Sequence, residues 1–100
     1  MARENPHFLA HCDGDAVAVA VCDVEPGDAV VGYLDGTPTS AVTVASNIPL
    51  GHKVALQDIS SGDQVIEYTL PIGTASTDIT QGDYVHTHNV RSARWQNSVA

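Results

Sequence analysis

Apolar positions along this chain fall in short runs of β type: "HFLAH" over residues 7–11, "DAVAVAVCDV" over 15–24, "DAVVGYL" over 28–34, "SAVTVAS" over 40–46, "KVALQDI" over 53–59 and "QVIEYTLPIGTAS" over 64–76. Proline at 26, 38, 49 and 71 and glycine at 32, 36 and 73 interrupt them too often for a long helix. The pattern predicts an all-β domain of about seven to nine short strands joined by tight turns, with one helical turn at most.

Four of the breaks are one phrase rewritten. "CDVEPGDAV" begins at Cys22, "SNIPLGHKV" at Ser46, "QDISSGDQV" at Gln57 and "TDITQGDYV" at Thr77. Each copy offers an apolar anchor (Val24, Ile48, Ile59, Ile79), a polar turn, and a glycine (Gly27, Gly51, Gly62, Gly82) suited to positive φ. The first inward residue of the departing strand is then expected at Val30, Val54, Val65 or Val85. Asp23, Asp58 and Asp78, or Asn47 in their place, are expected to bond turn backbone. The copies start 24, 11 and 20 residues apart, so this is one kind of corner reused and not a solenoid of fixed period.

Composition narrows the function classes. A chain of 100 residues is one small domain that buries roughly 60–70% of its unfolded surface, too little to enclose a substrate alone. The formal charge of −8 sets twelve acids against four basic residues, with Lys53 the only lysine. Such a surface repels phosphate backbones and anionic lipid, which argues against nucleic-acid and membrane partners. No apolar run approaches the roughly 20 residues of a membrane span, and no basic start leads into an export-type apolar run. Cys12 and Cys22 read as two reduced thiols of a cytoplasmic protein, with no activating neighbour in sequence.

The histidines supply the candidate chemistry. His52 and Lys53 replace the acid and variable residue that follow the glycine in the other three corners, a departure that a plain solvated turn does not need. His11 ends the first run just ahead of the turn "CDGD", and His7 reads as a surface residue. His86 and His88 in "GDYVHTHN" read as residues two apart on a strand, with β-carbons about 6.5–7 Å apart and imidazoles on one side. That pair admits three roles: substrate or subunit contact, metal ligation with a third ligand from elsewhere, or a plain strand end. Asn89 goes with the pair. Arg91 and Arg94 could grip a carboxylate, or, with Trp95, form a docking tail.

"NIPLGHKVALQDISSGDQVIEYTLPIGTASTDITQGDYVHTHNV" over 47–90, preceded by "FLAHCDGDAVAVAV" over 8–21, resembles the small module of the altronate and galactarate dehydratase family. In that family the module also occurs as a separate small subunit, as in sulfolactate sulfo-lyases. The resemblance implies a compact β-clip fold of SAF type over residues 7–90, with residues 1–6 as a leader and 91–100 as a tail that docks to a partner. It further implies a lyase that removes water or sulfite from a small carboxylate, inactive without a large catalytic subunit. A divalent metal ion is expected with it, held mainly by the larger chain. The same resemblance assigns His11, His52 and Lys53 to the chemistry, with His11 and His52 as metal ligands; His86 and His88 are the alternative ligand pair by spacing alone, and for them the resemblance favours substrate or subunit contact. The isolated chain could self-associate, and the competing expectations are a free-standing module that binds a sugar acid or polymer without catalysis, and a small subunit that only stabilises its partner.

Overall fold

The computed structural model describes residues 5–92. Nine strands are present among them and no helix: β1 (Phe8–Ala10), β2 (Val17–Ala20), β3 (Gly27–Tyr33), β4 (Ser40–Val44), β5 (Lys53–Ala55), β6 (Gln64–Glu67), β7 (Leu70–Ala75), β8 (Tyr84–Val85) and β9 (Val90–Ser92). Six of them form one sheet in the order β4-β3-β1-β2-β5-β8, and three form a second in the order β6-β7-β9. Neighbours are antiparallel except β1 and β3.

The four corners work in pairs. Val24 and Ile48 exchange both backbone hydrogen bonds, at 2.9 and 2.8 Å, and Ile59 and Ile79 do the same at 2.8 Å each. Each corner acid reaches across to the other turn of its pair: Asp23 accepts from Leu50 N–H at 2.9 Å, Asp58 from Gln81 N–H at 2.8 Å and Asp78 from Ser61 N–H at 2.8 Å. The equivalent donor for the second corner would be residue 26, a proline without an N–H. An acid at position 47 would find no such bond, which explains why Asn47 breaks the pattern. In the last three corners the N–H of the residue after the glycine closes the turn, at 2.9–3.0 Å. Gly51, Gly62 and Gly82 take φ of 86°, 91° and 95° there, as a type II turn requires.

Each corner pair anchors its own hydrophobic cluster. Val24 and Ile48 pack with Phe8, Val31, Val42, Val44 and Val54; Ile59 and Ile79 pack with Val17, Val65, Ala75 and Val85. β2 and β5 stand between the clusters, sending Ala18, Ala20 and Val54 to the first and Val17 and Ala55 to the second. A strand buried on both faces cannot alternate apolar with polar, hence the unbroken "AVAVAV". Full burial of each Ile, Val or Phe contributes roughly 1.5–3 kcal/mol.

Three local expectations are corrected. Val30 is only half-buried, whereas Ala29 and Val31 lie in the core; Gly27 has φ of 131° and already opens β3, so the register runs one residue out from the other corners. His7 is not a mere surface residue: its Nδ1 accepts from Val30 N–H at 2.9 Å while its own N–H donates to Val30 O at 2.8 Å. His86 and His88 do not share a strand, because β8 ends at Val85 and residues 86–89 form a turn.

Candidate functional site

Corners two and four converge because their departing strands are neighbours: β5 pairs with β8, Lys53 opposite Val85 and Val54 opposite Tyr84. His52 and Lys53 are thereby set beside Tyr84 and His86 at the mouth of an open cleft of about 340 Å³. Its polar wall is His52, Lys53, His86 and Thr87, and its apolar floor is Ile72, Val85 and Val90.

Tyr84 joins three imidazoles. Its hydroxyl lies 2.6 Å from His52 Nδ1. His86 stacks on its ring at 5.6 Å and 16°, and His88 meets it edge-on at 5.8 Å. The His52 and His86 rings are 5.1 Å apart. Asn89 shapes the turn that holds them: its Oδ1 accepts from His86 N–H at 2.9 Å and its Nδ2 donates to Tyr84 O at 2.8 Å. Asn89 is buried, so its place is inside the turn and not on the cleft wall.

A second constellation begins at Lys53. Its Nζ pairs with Glu67 at 3.2 Å, and the other carboxylate oxygen of Glu67 lies 4.0 Å from His11 Nε2. The His11 ring packs on Tyr68 with centroids 4.8 Å apart. Tyr68 and Thr69 form the two-residue loop between β6 and β7 with φ of 54° and 63°, the type I′ signature, which for a β-branched threonine is strained.

Asp15 fixes this loop from below. It is buried, and accepts from Tyr68 N–H at 2.8 Å, His11 N–H at 2.9 Å and the Cys12 thiol at 3.3 Å. Burial opposes its ionisation, yet the backbone bonds from Tyr68 and His11, with those from Cys12, outweigh it and hold the carboxyl below its ordinary value of 3.8. The same Asp15 contact, with burial and the neighbouring acids, pushes the Cys12 thiol up, away from nucleophilic service. Asp15→Asn points an amide at a backbone donor and is expected to cost about 2–3 kcal/mol at neutral pH. A depressed folded pKa stabilises fully above the unfolded value of 3.8 and loses that stability as pH falls through the folded one. The gap between Asp15→Asn and wild type in urea unfolding should therefore narrow below about pH 4.

Of the residues singled out in the sequence, His52, Lys53 and His86 meet at the cleft, with His88 behind Tyr84 and His11 joined through Glu67. Arg91 is exposed and lines a separate depression with Thr74, Ala75 and Ser76. Arg94 and Trp95 lie outside the described residues. Sequence reasoning missed Tyr84, Glu67, Tyr68 and Asp15. The only local signals were an aromatic at the variable position of the fourth corner, the one acid in the run over 64–76, and an acid abutting an apolar run. Among the described residues no three His, Cys, Asp or Glu side chains converge on one ion. His11 and His52 belong to different constellations, and the described residues do not fit a self-contained metal site.

Fold and site together define a small all-β module of SAF type, whose corners present imidazoles and an ammonium at an open cleft. The chain belongs to the altronate/galactarate dehydratase SAF domain family, whose model matches residues 6–93. It is 40% identical over 90 residues to (2R)-sulfolactate sulfo-lyase subunit alpha of Chromohalobacter salexigens, covering 88% of this chain and 96% of that one. A second subunit alpha, from Paracoccus pantotrophus, is 46% identical over 54 residues, 54% of this chain and 81% of that one. Altronate dehydratase of Escherichia coli is 44% identical over 78 residues, 78% of this chain but 15% of that enzyme. No helix among the described residues is long and apolar enough to cross a membrane.

Proposed function

We propose that this chain is the small subunit of a two-chain lyase, which completes the active site of a larger catalytic chain for elimination of water or sulfite from a small carboxylate. The observation that carries this reading is the near end-to-end match to a separate subunit alpha, 96% of its length, against 15% of altronate dehydratase. The open cleft supports it, since elimination needs a covered site and this chain leaves His52 and Lys53 at a surface.

The chemistry follows from the groups present. Lys53 Nζ holds the substrate carboxylate and offsets the charge that builds on it as the α-carbon loses its proton. His52, with Nδ1 engaged by Tyr84, presents its Nε2 proton to the departing group as general acid, and the base that takes the α-proton comes from the larger chain. Glu67 keeps Lys53 and His11 within one electrostatic unit, and His86 with Thr87 closes the wall facing His52. Any divalent ion belongs to the larger chain in this reading, and no step above passes through one. The free thiols of Cys12 and Cys22 support a reducing compartment, the cytoplasm.

The test is recovery of this chain's stoichiometric partner from its host, followed by assay of the two chains with (2R)-sulfolactate and with altronate. Turnover of either compound by the pair, and by neither chain alone, is the expected result. Recovery of this chain without a partner, or a partner whose turnover is indifferent to this chain, overturns the reading.

A further inference from the structure

Tyr84 occupies the variable position of the corner phrase, where the other copies carry Ala29, Lys53 and Gln64, yet it touches His52, His86 and His88. We propose that Tyr84 is a positioning residue: its hydroxyl fixes the tautomer and plane of His52, and its ring face sets His86 parallel beside it. This deepens the reading above and rests on it for the identity of the reaction, though not for the geometry.

A phenol can donate or accept, but 2.6 Å is shorter than N–H···O bonds run and suits an O–H donor; in this proposal Nδ1 of a neutral His52 therefore accepts and the ring proton sits on Nε2. An imidazole bonded at one nitrogen presents the other in a fixed direction and protonation state, as partners of working histidines do generally. Tyr84 is itself held: β8 pairs it with Val54, its carbonyl accepts from Asn89, and it packs on the first hydrophobic cluster. His52 is thus oriented by the core of the fold and not by its own exposed turn. No charged group is needed for this, and the His86 ring, only 5.1 Å from that of His52, is placed by the same tyrosine.

The test uses the full chain, nitrogen-15 labelled, with long-range proton–nitrogen correlation of the imidazole rings at neutral pH. His7 is the internal standard, because its Nδ1 accepts from Val30 N–H on another part of the sheet. Wild-type His52 should show one tautomer, with the proton on Nε2 and Nδ1 as acceptor. Tyr84→Phe should average the His52 signals between tautomers and leave His7 unchanged. In the assembled enzyme the same variant should lower kcat about 10- to 100-fold with KM little altered. Wild-type His52 protonated on Nδ1, or tautomer-averaged, overturns the proposal without any variant. So does a His52 signature, or a kcat, that is the same in Tyr84→Phe and wild type. The resonance measurement needs neither partner nor substrate, so its failure is separate from failure of the two-chain assay.

Discussion

His52→Ala in the assembled two-chain enzyme is expected to lower kcat by about 10²–10⁴-fold, the range for loss of a positioned acid–base group. Assembly itself should be unaffected, because the ring sits half-buried at a corner and contributes to neither hydrophobic cluster. Lys53→Met acts differently. Loss of a charge-assisted contact to a substrate carboxylate removes about 1.5–3 kcal/mol, which reads as roughly a 10- to 100-fold fall in kcat/KM, with KM raised and kcat lowered together. It also strands Glu67, whose side chain is 14% exposed, so Glu67→Gln is the comparison that separates the two effects. Glu67→Gln frees Lys53 without removing it and should leave KM far closer to wild type. Steady-state kinetics with (2R)-sulfolactate and altronate, alongside gel filtration of the complex, give all three numbers. An unchanged kcat in His52→Ala, with the complex intact, rules out the assignment of His52 to the reacting proton.

The corner phrase was legible in sequence because its physics is local: an anchor, a turn and a glycine in left-handed backbone. Which corner pairs with which was not, since Val24–Ile48 and Ile59–Ile79 are contacts between distant segments that every copy could satisfy equally. Asn47 held the clue, readable only once Pro26 is seen opposite it. The site divides the same way. His52 and Lys53 stood out as departures from the repeat, whereas Glu67 and Tyr84 acquire their roles from side chains 14 and 32 positions away, Lys53 and His52. "HTHN" alternates like a strand, but Asn89 turns its amide back onto Tyr84 and His86 and closes a loop instead. β9 is three residues long and owes its place to β7, a length at which no periodicity exists to read.

Gly82→Ala is expected to be the most damaging single-methyl change in the chain, at about 4 kcal/mol or more of the roughly 5–15 kcal/mol that a small domain possesses. Two costs coincide there. The residue has φ of 95°, which alone penalises an L side chain by about 1–2 kcal/mol. A Cβ would also run into the Thr43 carbonyl on β4. The backbone cannot retreat, because Gly82 N–H donates to Ala55 O at 2.8 Å and Gly82 O accepts from Ala45 N–H at 3.1 Å. Gly62→Ala is the matched control, with φ of 91° and open space around the added carbon; it should cost only the backbone term, about 1–2 kcal/mol. Urea unfolding of both variants measures the difference, and equal losses would show that β4 yields to the fourth corner. The comparison bears on function as well, since β8 leaves this corner two residues later. If the glycine is displaced, Tyr84 moves relative to Val54 and its bond to His52 lengthens. A partly folded Gly82→Ala chain should then lose the His52 tautomer before it loses the Val24–Ile48 bridge at the other pair of corners.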